Sequence, residues 1–469
     1  MSRDLRFSRR GALAACTALA AGMRPNWSRA EPASAPGAGS YRLSVFACDV
    51  TPRLGHPLLG TRFQPALRIA DRLEARGFVL EGAGAPIVLV AIDWCELRND
   101  AFSRWRQVLA EAAGTTPARV LVHAVHQHDA PYFDLTAQKL LAAAPHGGLM
   151  CDADFHEHAV QAAAAALRSG LAASRPVTHL GRGQAKVQRV ASNRRVLLPD
   201  GRASFGRYSR TTDSSLRDAP EGTIDPWLKT ISFWDGDRAL AALSTYACHP
   251  MSHYGDGDIS GDFVSLARRR RQQDDPQVFQ IYATGCAGDV TAGKYNDGSP
   301  GVRGELADRL YRAMAEAWRS TQRKPLAQLD CRNQPMLLPH SELASMAEPA
   351  LRSRLASDLP LYRRAEAALG LSSLARNPAG HAIDLQMIDF GLSRLVLFPA
   401  ESFVAYQLLA QRLLPDGFVL SLGFGECAPG YIPTDAAFRE GYRDEHGYCW
   451  VRPGAEAIIE RALRQLLPA

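Results

Sequence analysis

The sequence lacks several motifs that mark common classes of enzyme. It contains no GxSxG segment, so a serine nucleophile on a strand-to-helix turn is not indicated. The glycine-rich stretch 285–293 could be a phosphate-cradling loop, but it lacks the GxxxxGK[ST] spacing, which argues against a nucleotide site. Nine cysteines occur without any CxxC pair, which argues against a structural zinc knuckle.

Excess charge and long apolar runs are also scarce. Of the six net positive charges, five lie in the first 30 residues, so the rest of the chain is almost neutral and a basic nucleic-acid-binding surface is not supported. Beyond residue 35 no apolar run approaches the roughly 20 residues of a transmembrane helix. Hydrophobic and charged contents of 46% and 22% are those of an ordinary globular protein. We therefore predict a protein with no nucleic-acid partner and no transmembrane span.

Residues 1–35 have the features of an export signal. A charged start, MSRDLRFSRR, precedes the 13-residue apolar run GALAACTALAAGM, and small residues follow. The segment Ser8-Arg9-Arg10-Gly11 fits the twin-arginine type. A disordered basic tail is the alternative. The signal predicts a periplasmic or secreted protein, in which the eight cysteines after Cys16 could form disulfides whose pairing the sequence does not give.

Strand and helix patterns alternate along the remaining chain. The apolar runs 87–92 and 120–125 are typical of strands buried on both faces, and a helix predicted at 100–113 between them implies that they pair in parallel. Further strands are predicted at 239–247, 278–283, 394–398 and 417–422, and helices at 155–168, 262–271, 302–317, 342–369, 402–413 and 454–466. This pattern predicts an α/β fold with a mixed β-sheet core and flanking helices, in a single domain over residues 41–469.

Polar residues follow each of these predicted strands. In open α/β sheets, ligands bind beyond the carboxyl ends of the strands. The residues at five successive strand ends are His126, His249, Thr291 with Asp289, Glu401 and Tyr431. Two imidazoles and one carboxylate are a usual ligand set for catalytic zinc, so the pattern favours a metal site at the strand ends. The alternative is that these histidines are ordinary loop or core residues.

Three histidines lie close together in the segment LVHAVHQHDAP, residues 121–131. His126 is the candidate ligand. His128, two residues later, cannot easily share the same tetrahedral site and is better placed as a proton-transfer or oxyanion partner. His123 lies within the strand and is predicted to be structural. A second cation is a further hypothesis, since Asp256, Asp258 and Asp262 could hold one in a two-metal hydrolase.

Seven segments, in chain order, resemble motifs of the neutral (non-lysosomal) ceramidases. They are Asp49-Val50-Thr51-Pro52 with Leu59-Gly60, VHQHDAP at 125–131, Asn193-Arg194, His249 followed by Ile259-Ser260-Gly261-Asp262, Ala287-Gly288-Asp289-Val290-Thr291, Pro399-Ala400-Glu401-Ser402-Phe403, and Gly430-Tyr431-Ile432-Pro433-Thr434 with Tyr442 beyond. The resemblance covers roughly residues 41–450. It implies the fold of the ceramidase catalytic domain and hydrolysis of an N-acyl amide.

The resemblance also implies roles for individual residues. The implied ligands of a single zinc ion are His126, His249, Glu401 and Tyr431. The implied catalytic residues are His128, Thr291, Tyr442 and Asp129, and the implied substrate-binding residues are Asn193 and Arg194. In this scheme a zinc-bound water attacks the acyl carbon, His128 and Tyr442 stabilise the oxyanion, and Asp129 or His128 handles the proton of the amine.

The sequence departs from the family pattern in three places. Thr291 stands where the family has serine, and Asp129-Ala130 replaces Ser-Gly. A carboxylate within reach of His128 would raise the pKa of that histidine. We also expect no C-terminal β-sandwich domain of the kind found in the family. The hypothesis is thus a zinc-dependent amidohydrolase acting on a small-molecule or lipid N-acyl amide. The alternatives are a metal hydrolase acting on another small amide or ester, and a non-catalytic periplasmic binding protein.

Overall fold

The computed structural model describes residues 41–376, 378–442 and 448–467, so the predicted export signal lies outside the described residues. Within them, strands and helices assemble into three sheets of four or five strands, several two-stranded ladders and flanking helices. The α/β class predicted from the sequence is confirmed. The strands are divided among several sheets, however, whereas the sequence predicted one mixed core sheet.

The first sheet contains the two strands with continuous apolar sequence. Its strands, in spatial order, are Val120–Ala124, Ile87–Ile92, Glu74–Glu81, Arg42–Asp49 and Arg175–Pro176. Every residue of Val120–Ala124 and Ile87–Ile92 is buried, and the two strands pair in parallel as predicted. One face of this sheet packs against the helices Asn99–Ala113 and Ala153–Leu171.

The second and third sheets supply the other long strands. The second sheet has the order Phe279–Thr284, Arg238–Tyr246, Trp227–Asp235, His179–Lys186 and Gln322–Pro325. The third has the order Asp330–Met336, Ile383–Asp389, Ser393–Leu397 and Phe418–Leu422. Leu121 of the first sheet, Leu243 of the second and Leu420 of the third share one apolar cluster and are almost inaccessible to solvent. The three sheets are therefore held together by one continuous core.

Short two-stranded ladders link the ends of the long strands. They pair Glu96–Arg98 with Tyr132–Asp134, Ser192–Asn193 with Val290–Thr291, Glu401–Ser402 with Tyr431–Ile432, Asp258–Ile259 with Arg68–Ile69, and Val196–Leu197 with Ala203–Ser204. Several residues that the sequence singled out lie in these ladders. The ladders fix the positions of segments that would otherwise be loops, because each pairing removes backbone freedom.

Most helices follow the sequence prediction, but Leu135–Ala143, Ser214–Arg217 and Asp435–Arg439 were not predicted, and one predicted helix is divided. Their bounds are Asn99–Ala113, Leu135–Ala143, Ala153–Leu171, Ser214–Arg217, Asp262–Asp274, Val302–Arg319, Glu348–Ala356, Leu361–Leu374, Val404–Leu413, Asp435–Arg439 and Ala455–Leu466, with 3₁₀ turns at Pro117–Arg119 and Ala344–Met346. The single helix predicted at 342–369 is wrong. The chain is extended at Ser357, and Pro360 immediately precedes a new helix, since proline is not tolerated in a helix interior.

Two further sequence predictions have structural outcomes. His123 is structural, because its Nδ1 donates to the Gly423 carbonyl at 2.7 Å and its Nε2 accepts from the Thr284 amide at 3.0 Å. Burial lowers the pKa of His123 to about 3, so the ring is neutral.

The eight cysteines of the described ranges are free thiols. None of the helices in those ranges is both long enough and apolar enough to cross a bilayer.

Candidate metal centre

Three residues from distant parts of the sequence meet at the ends of three sheets. His126 follows the strand Val120–Ala124, His249 follows Arg238–Tyr246, and Glu401 begins a short strand just after Ser393–Leu397. The Nε2 atoms of His126 and His249 are 3.0 Å apart. Glu401 Oε2 lies 3.0 Å from His249 Nε2 and 3.5 Å from His126 Nε2. We call His126, His249 and Glu401 the histidine cluster.

Backbone contacts fix the tautomers of both histidines. Nδ1 of His126 lies 2.8 Å from the Cys95 carbonyl oxygen, and Nδ1 of His249 lies 2.5 Å from the Ala287 carbonyl oxygen. A carbonyl oxygen only accepts hydrogen bonds, so each Nδ1 carries the proton. When the two rings are neutral, each Nε2 then carries a lone pair instead of a proton. The histidine cluster thus brings two nitrogen lone pairs and a carboxylate oxygen together in a buried space.

The spacing of these three atoms fits a metal ion. Zinc–nitrogen and zinc–oxygen bonds of about 2.0–2.1 Å separate the ligand atoms of a tetrahedral centre by about 3.3 Å. The observed separations of 3.0, 3.0 and 3.5 Å bracket that value. Three acceptor atoms at this distance repel one another in a dry environment unless a cation lies between them. The donor set and its geometry therefore fit zinc.

The backbone around the histidine cluster adopts uncommon conformations. His126, Ala400 and Phe424 have φ angles of 76°, 49° and 51°, in the left-handed region that non-glycine residues seldom occupy. The Phe424 ring stacks on the His126 imidazole with centroids 4.0 Å apart, and its backbone bonds to both Ala124 and Ala400. Strained backbone of this kind occurs where the surrounding structure holds a functional residue in place.

A glycine permits the close approach of Glu401. A Cβ atom at Gly288 would lie only 2.1 Å from the carbonyl oxygen of Glu401, and the Gly288 amide donates to Ser402 at 3.0 Å. Any larger residue at this position would push the Glu401 backbone away from the two histidines. This explains why the sequence AGDVT contains glycine at its second position.

A second carboxyl group, Glu96, lies beside the histidine cluster. Its side chain is 1% exposed and forms a hydrogen bond with Glu401. Burial, opposed by Arg98 and reinforced by Glu401, raises the pKa of Glu96 well above its usual range. Burial alone would do the same to Glu401, but positive charge on the imidazoles of His126 and His249, when these are protonated, holds the pKa of Glu401 well below its usual range. One carboxyl is therefore protonated while the other stays anionic.

A second group of potential ligands shares one histidine with the histidine cluster. Cys95, His126 and His128 also bring ligand atoms within 4.8 Å of one another. In that group the Cys95 sulfur lies 3.8 Å from His126 Nδ1, which already donates to a carbonyl. Burial raises the pKa of Cys95 well above its usual value, so the thiol is not a ready ligand. The histidine cluster is the better site.

Solved structures with a similar fold provide an external comparison. A crystal structure of neutral ceramidase from Pseudomonas aeruginosa superposes with a TM-score of 0.65 at 19% identity, covering 92% of this chain and 75% of that one. A ceramidase complexed with C2 gives a TM-score of 0.65 at 18% identity, covering 91% and 76%. The chain has a ceramidase-like fold. No protein-family model and no curated protein sequence matches it.

The two remaining residues of the implied metal and oxyanion set lie beside the histidine cluster. Tyr431 pairs in register with Glu401 in the ladder of short strands, and its hydroxyl accepts a hydrogen bond from Arg194 at 2.9 Å. The Tyr431 ring lies 6.4 Å from that of His249 and 6.4 Å from that of Tyr442. Tyr431 lines the same cavity as His126 and Glu401, whereas Tyr442 lines a neighbouring one.

His128 and Asp129 point in different directions. His128 faces the cavity, its ring 5.3 Å from that of His126, and its Nε2 is buried without a hydrogen-bond partner. The carboxylate of Asp129 accepts from the Gly255 amide at 2.9 Å and lies 3.4 Å from Arg303. The prediction that Asp129 raises the pKa of His128 is wrong. Burial and the neighbouring imidazoles lower that pKa well below its usual value.

Thr291 and Asn193 lie behind the cavity. The Thr291 hydroxyl is fully buried and donates to the Tyr208 carbonyl at 2.8 Å. The Asn193 side chain donates to Asp289 and to the Thr223 carbonyl, both at 2.8 Å. Neither residue lines the cavity that contains the histidine cluster. Their contacts hold the walls of the site, and the catalytic role implied for Thr291 and the substrate-binding role implied for Asn193 stay predictions.

The three aspartates of the acidic loop, residues 255–262, have separate partners. Asp258 pairs with Arg68 at 2.6 Å, Asp256 with His253 at 3.0 Å, and Asp262 accepts from the hydroxyl of Ser252 at 2.5 Å. Among the described residues, the groups of potential ligands that converge closely enough for a metal do not include these three aspartates. The geometry gives the hypothesis of a second cation at this loop no support.

The histidine cluster opens into a cavity of about 440 Å³. The cavity lining also contains Glu96, Arg62, Arg210 and Tyr254, to which sequence reasoning gave no role. The only available signal was that Glu96 follows a buried strand, as His126 does. A larger cavity of about 740 Å³ lies beyond Tyr442 but contains none of the candidate ligands, so the smaller cavity is the candidate site.

Proposed function

We propose that the protein is a zinc-dependent hydrolase of an N-acyl amide bond. The observation that carries the proposal is the convergence, within 3.0–3.5 Å of one another, of one carboxylate oxygen and two Nε2 atoms whose rings each direct Nδ1 to a backbone carbonyl oxygen. The ligands would be His126, His249 and Glu401, with Tyr431 as the fourth. The ceramidase-like fold supports the choice of an amide as the substrate.

The ligand side chains are prepared for the metal before it binds. The Nδ1 hydrogen bonds to Cys95 and Ala287 hold both imidazoles in the neutral tautomer that a metal requires. Burial lowers the pKa of His249 to about 4, so protons do not compete for this ring near neutral pH. When bound, zinc would supply a Lewis acid that polarises an acyl carbonyl and makes water acidic enough to lose a proton near neutral pH.

The other cavity residues would bind and orient the amide. His128 presents an unpartnered Nε2 to the cavity and would form a hydrogen bond with the scissile group. Arg194 holds the Tyr431 hydroxyl at 2.9 Å and so fixes the ring beside the reacting carbonyl. In the overall reaction, water adds to the acyl carbon, the carbon–nitrogen bond breaks and the nitrogen gains a proton. The products are a carboxylic acid and an amine.

The test is amide hydrolysis by the metal-loaded protein against a panel of N-acyl amides and esters, before and after chelation. We expect hydrolysis that disappears with a chelator and returns with zinc, and that His126→Ala abolishes. His158→Ala is the matched control, since His158 is exposed on the helix Ala153–Leu171 and remote from the cavity lining. Undiminished amidase activity in His126→Ala would rule out the proposed mechanism.

The proposal also covers the domain organisation of the chain and the cellular location of the protein. We propose that residues 41–469 form the catalytic domain and that residues 1–35 direct export. The support for export is the Arg9-Arg10 pair followed by a short apolar run. Changing both arginines to lysine should retain the protein in the cytoplasm of a host with a twin-arginine pathway, as measured by fractionation. Unchanged export would show that another route is used.

A further inference from the structure

Two arginines at the mouth of the cavity differ from its other acidic and basic residues. The acidic and basic side chains of the lining are Arg62, Arg210, Arg363, Glu96, Glu366 and Glu401, besides the histidines. Each glutamate is accounted for within the protein: Glu96 lies 3.5 Å from Arg98, Glu366 lies 3.0 Å from Arg363, and Glu401 belongs to the histidine cluster. Neither Arg62 nor Arg210 forms a close ion pair with a carboxylate of the described residues, although Arg62 lies near enough to Glu366 to help lower the pKa of that carboxyl. Within the part of the chain that the structure describes, the entrance of the cavity therefore has two guanidinium groups that are not engaged in a direct ion pair.

Arg62 is held at this entrance by backbone contacts with the segment that carries the candidate catalytic histidine. The Gly60 amide donates to the His128 carbonyl at 2.7 Å, and the Leu59 amide donates to the Ala130 carbonyl at 3.3 Å. Arg62 itself has a φ of 56°, and its guanidinium lies 5.1 Å from the centre of the Tyr362 ring. A left-handed conformation on an anchored loop fixes the direction in which this side chain leaves the backbone.

Arg210 is positioned from the opposite side by a different loop. The preceding residue, Ser209, bonds through its hydroxyl to Tyr254 at 2.9 Å, and Tyr254 packs 5.3 Å from the His128 ring. The Arg210 side chain lies against Gly298, where an added Cβ would come within 2.5 Å of Arg210 Cδ. Two loops with separate anchors thus bring one free guanidinium each to the same cavity.

We propose that the substrate carries an oxyanion, a carboxylate or a phosphate, which Arg62 and Arg210 bind while the scissile amide lies at the histidine cluster. The inference rests on the proposed function, since it names the class of amide that the site accepts. Guanidinium groups bind carboxylates and phosphates through paired hydrogen bonds. A neutral long-chain amide would leave both cations without a partner. The substrate class inferred here is therefore an anionic N-acyl amide.

The experiment compares three amides that share one acyl group. They are N-hexanoylglycine, N-hexanoylglycinamide and N-hexanoyl-phosphoethanolamine, and both kcat/KM and the calorimetric Kd are measured on the zinc-loaded full chain. We expect at least tenfold higher kcat/KM for one or both anions than for the neutral amide. The preference should weaken in 0.5 M salt, because the rim is exposed and its charges are screened. The two anionic arms distinguish a carboxylate from a phosphate.

Variants connect this preference to the two arginines. In Arg62→Gln/Arg210→Gln the ratio of kcat/KM for the anion to that for the neutral amide should fall about tenfold, and the Kd of the anion should rise by a similar factor. Arg238→Gln is the matched control. Arg238 is an exposed arginine without an ion pair, at the start of the strand whose far end leads to His249, and its substitution should leave the ratio unchanged.

The outcomes separate this inference from the proposed function. Equal kcat/KM for charged and neutral amides would overturn the inference and leave the amidase proposal intact. A preference that survives in Arg62→Gln/Arg210→Gln would also overturn it, since the anion would then be binding elsewhere, for example to the metal. If none of the amides is hydrolysed, the amidase proposal fails, and the calorimetric Kd of N-hexanoylglycine in wild type and in the double variant still decides the inference.

Discussion

The histidine cluster and the acidic loop look alike in composition but differ in how their side chains are satisfied. In the histidine cluster, two nitrogen lone pairs and a carboxylate oxygen face one another at 3.0–3.5 Å. In the acidic loop, Asp258 pairs with the cation of Arg68, Asp256 lies beside the His253 ring, and Asp262 binds a hydroxyl. Acceptors that converge without a donor indicate a cation site, whereas a count of acidic residues does not.

Asp129 physically joins the two regions. It follows the segment of His126 and His128 along the chain, and its carboxylate accepts from the amide of Gly255 in the acidic loop. A Cβ at Gly60 would come within 2.8 Å of the same carboxylate, so the loop that carries Arg62 also packs here. The acidic loop therefore acts as structural support for the histidine cluster, which the following substitutions test from the largest expected effect to the smallest.

Replacing one carboxylate in each region by its amide gives the strongest contrast. We expect Glu401→Gln to lower kcat/KM at least 10³-fold, about 4 kcal/mol, because the only anionic group among the three converging ligands is lost. Asp258→Asn, the matched change in the acidic loop, should leave kcat/KM within about twofold, since its partner Arg68 is 72% exposed. Steady-state kinetics on the best amide would measure both. A Glu401→Gln variant within tenfold of wild type would contradict the comparison.

Removing the carboxyl that bonds to Glu401 should have an intermediate effect. Glu96→Ala should weaken zinc binding by about 10- to 100-fold, because partners that orient a ligand contribute on this scale. Competition with a chelating dye measures the affinity. Glu96→Gln is the control, since an amide can still donate a hydrogen bond to Glu401, and it should retain most of the affinity. Equal losses in both variants would show that the hydrogen bond is not the cause.

The pH dependence of the free energy of unfolding tests the link that Asp129 forms between the histidine cluster and the acidic loop. Burial raises the pKa of Asp129 to about 7, above its value of about 3.9 in an unfolded chain. The folded state therefore binds the extra proton between these values, and stability falls as pH rises from about 4 to 7. Relative to Asp129→Asn, the wild type should lose about 3 kcal/mol over this interval. The measurement is urea unfolding at several pH values, and a pH-independent difference would refute the prediction.

The smallest effect is expected on the free energy of unfolding when the exposed ion pair of the acidic loop is broken. Asp258→Asn breaks a paired contact with Arg68 that is largely exposed, so the free energy of unfolding should change by no more than about 1 kcal/mol. The same variant should bind zinc as tightly as the wild type. Thermal unfolding and dye competition on one preparation would test both statements. A loss of zinc would show that this loop takes part in metal binding after all.

Much of the architecture could be predicted because it depends on local sequence patterns. The run 87–92 is apolar at every position and the run 120–124 at every position but His123, which is typical of strands buried on both faces, and the helix between them favours a parallel crossover. Placing His126 and His249 at strand ends followed from the same patterns. The division into three sheets could not be predicted from these patterns, because the sequence of a strand does not show which sheet the strand joins.

The parts of the site that the sequence did not predict depend on contacts between distant residues. Glu96 meets Glu401 across 305 positions of sequence, and no spacing rule connects them. Asp129 was expected to act on His128 because the two are adjacent. The chain bends at residues 128–130, however, and the Asp129 carboxylate turns toward the Gly255 amide and Arg303 instead of the cavity. Arg62 and Arg210 line the cavity only because two separately anchored loops bring them there.

The most direct test of the central claim is the metal content of the purified full chain. Inductively coupled plasma mass spectrometry should find one zinc ion per chain in the wild type, and none in His249→Ala, whose Nε2 is one of the three converging atoms. His158→Ala should retain the metal. A wild-type protein without stoichiometric metal, or a His249→Ala variant that keeps it, would contradict the account.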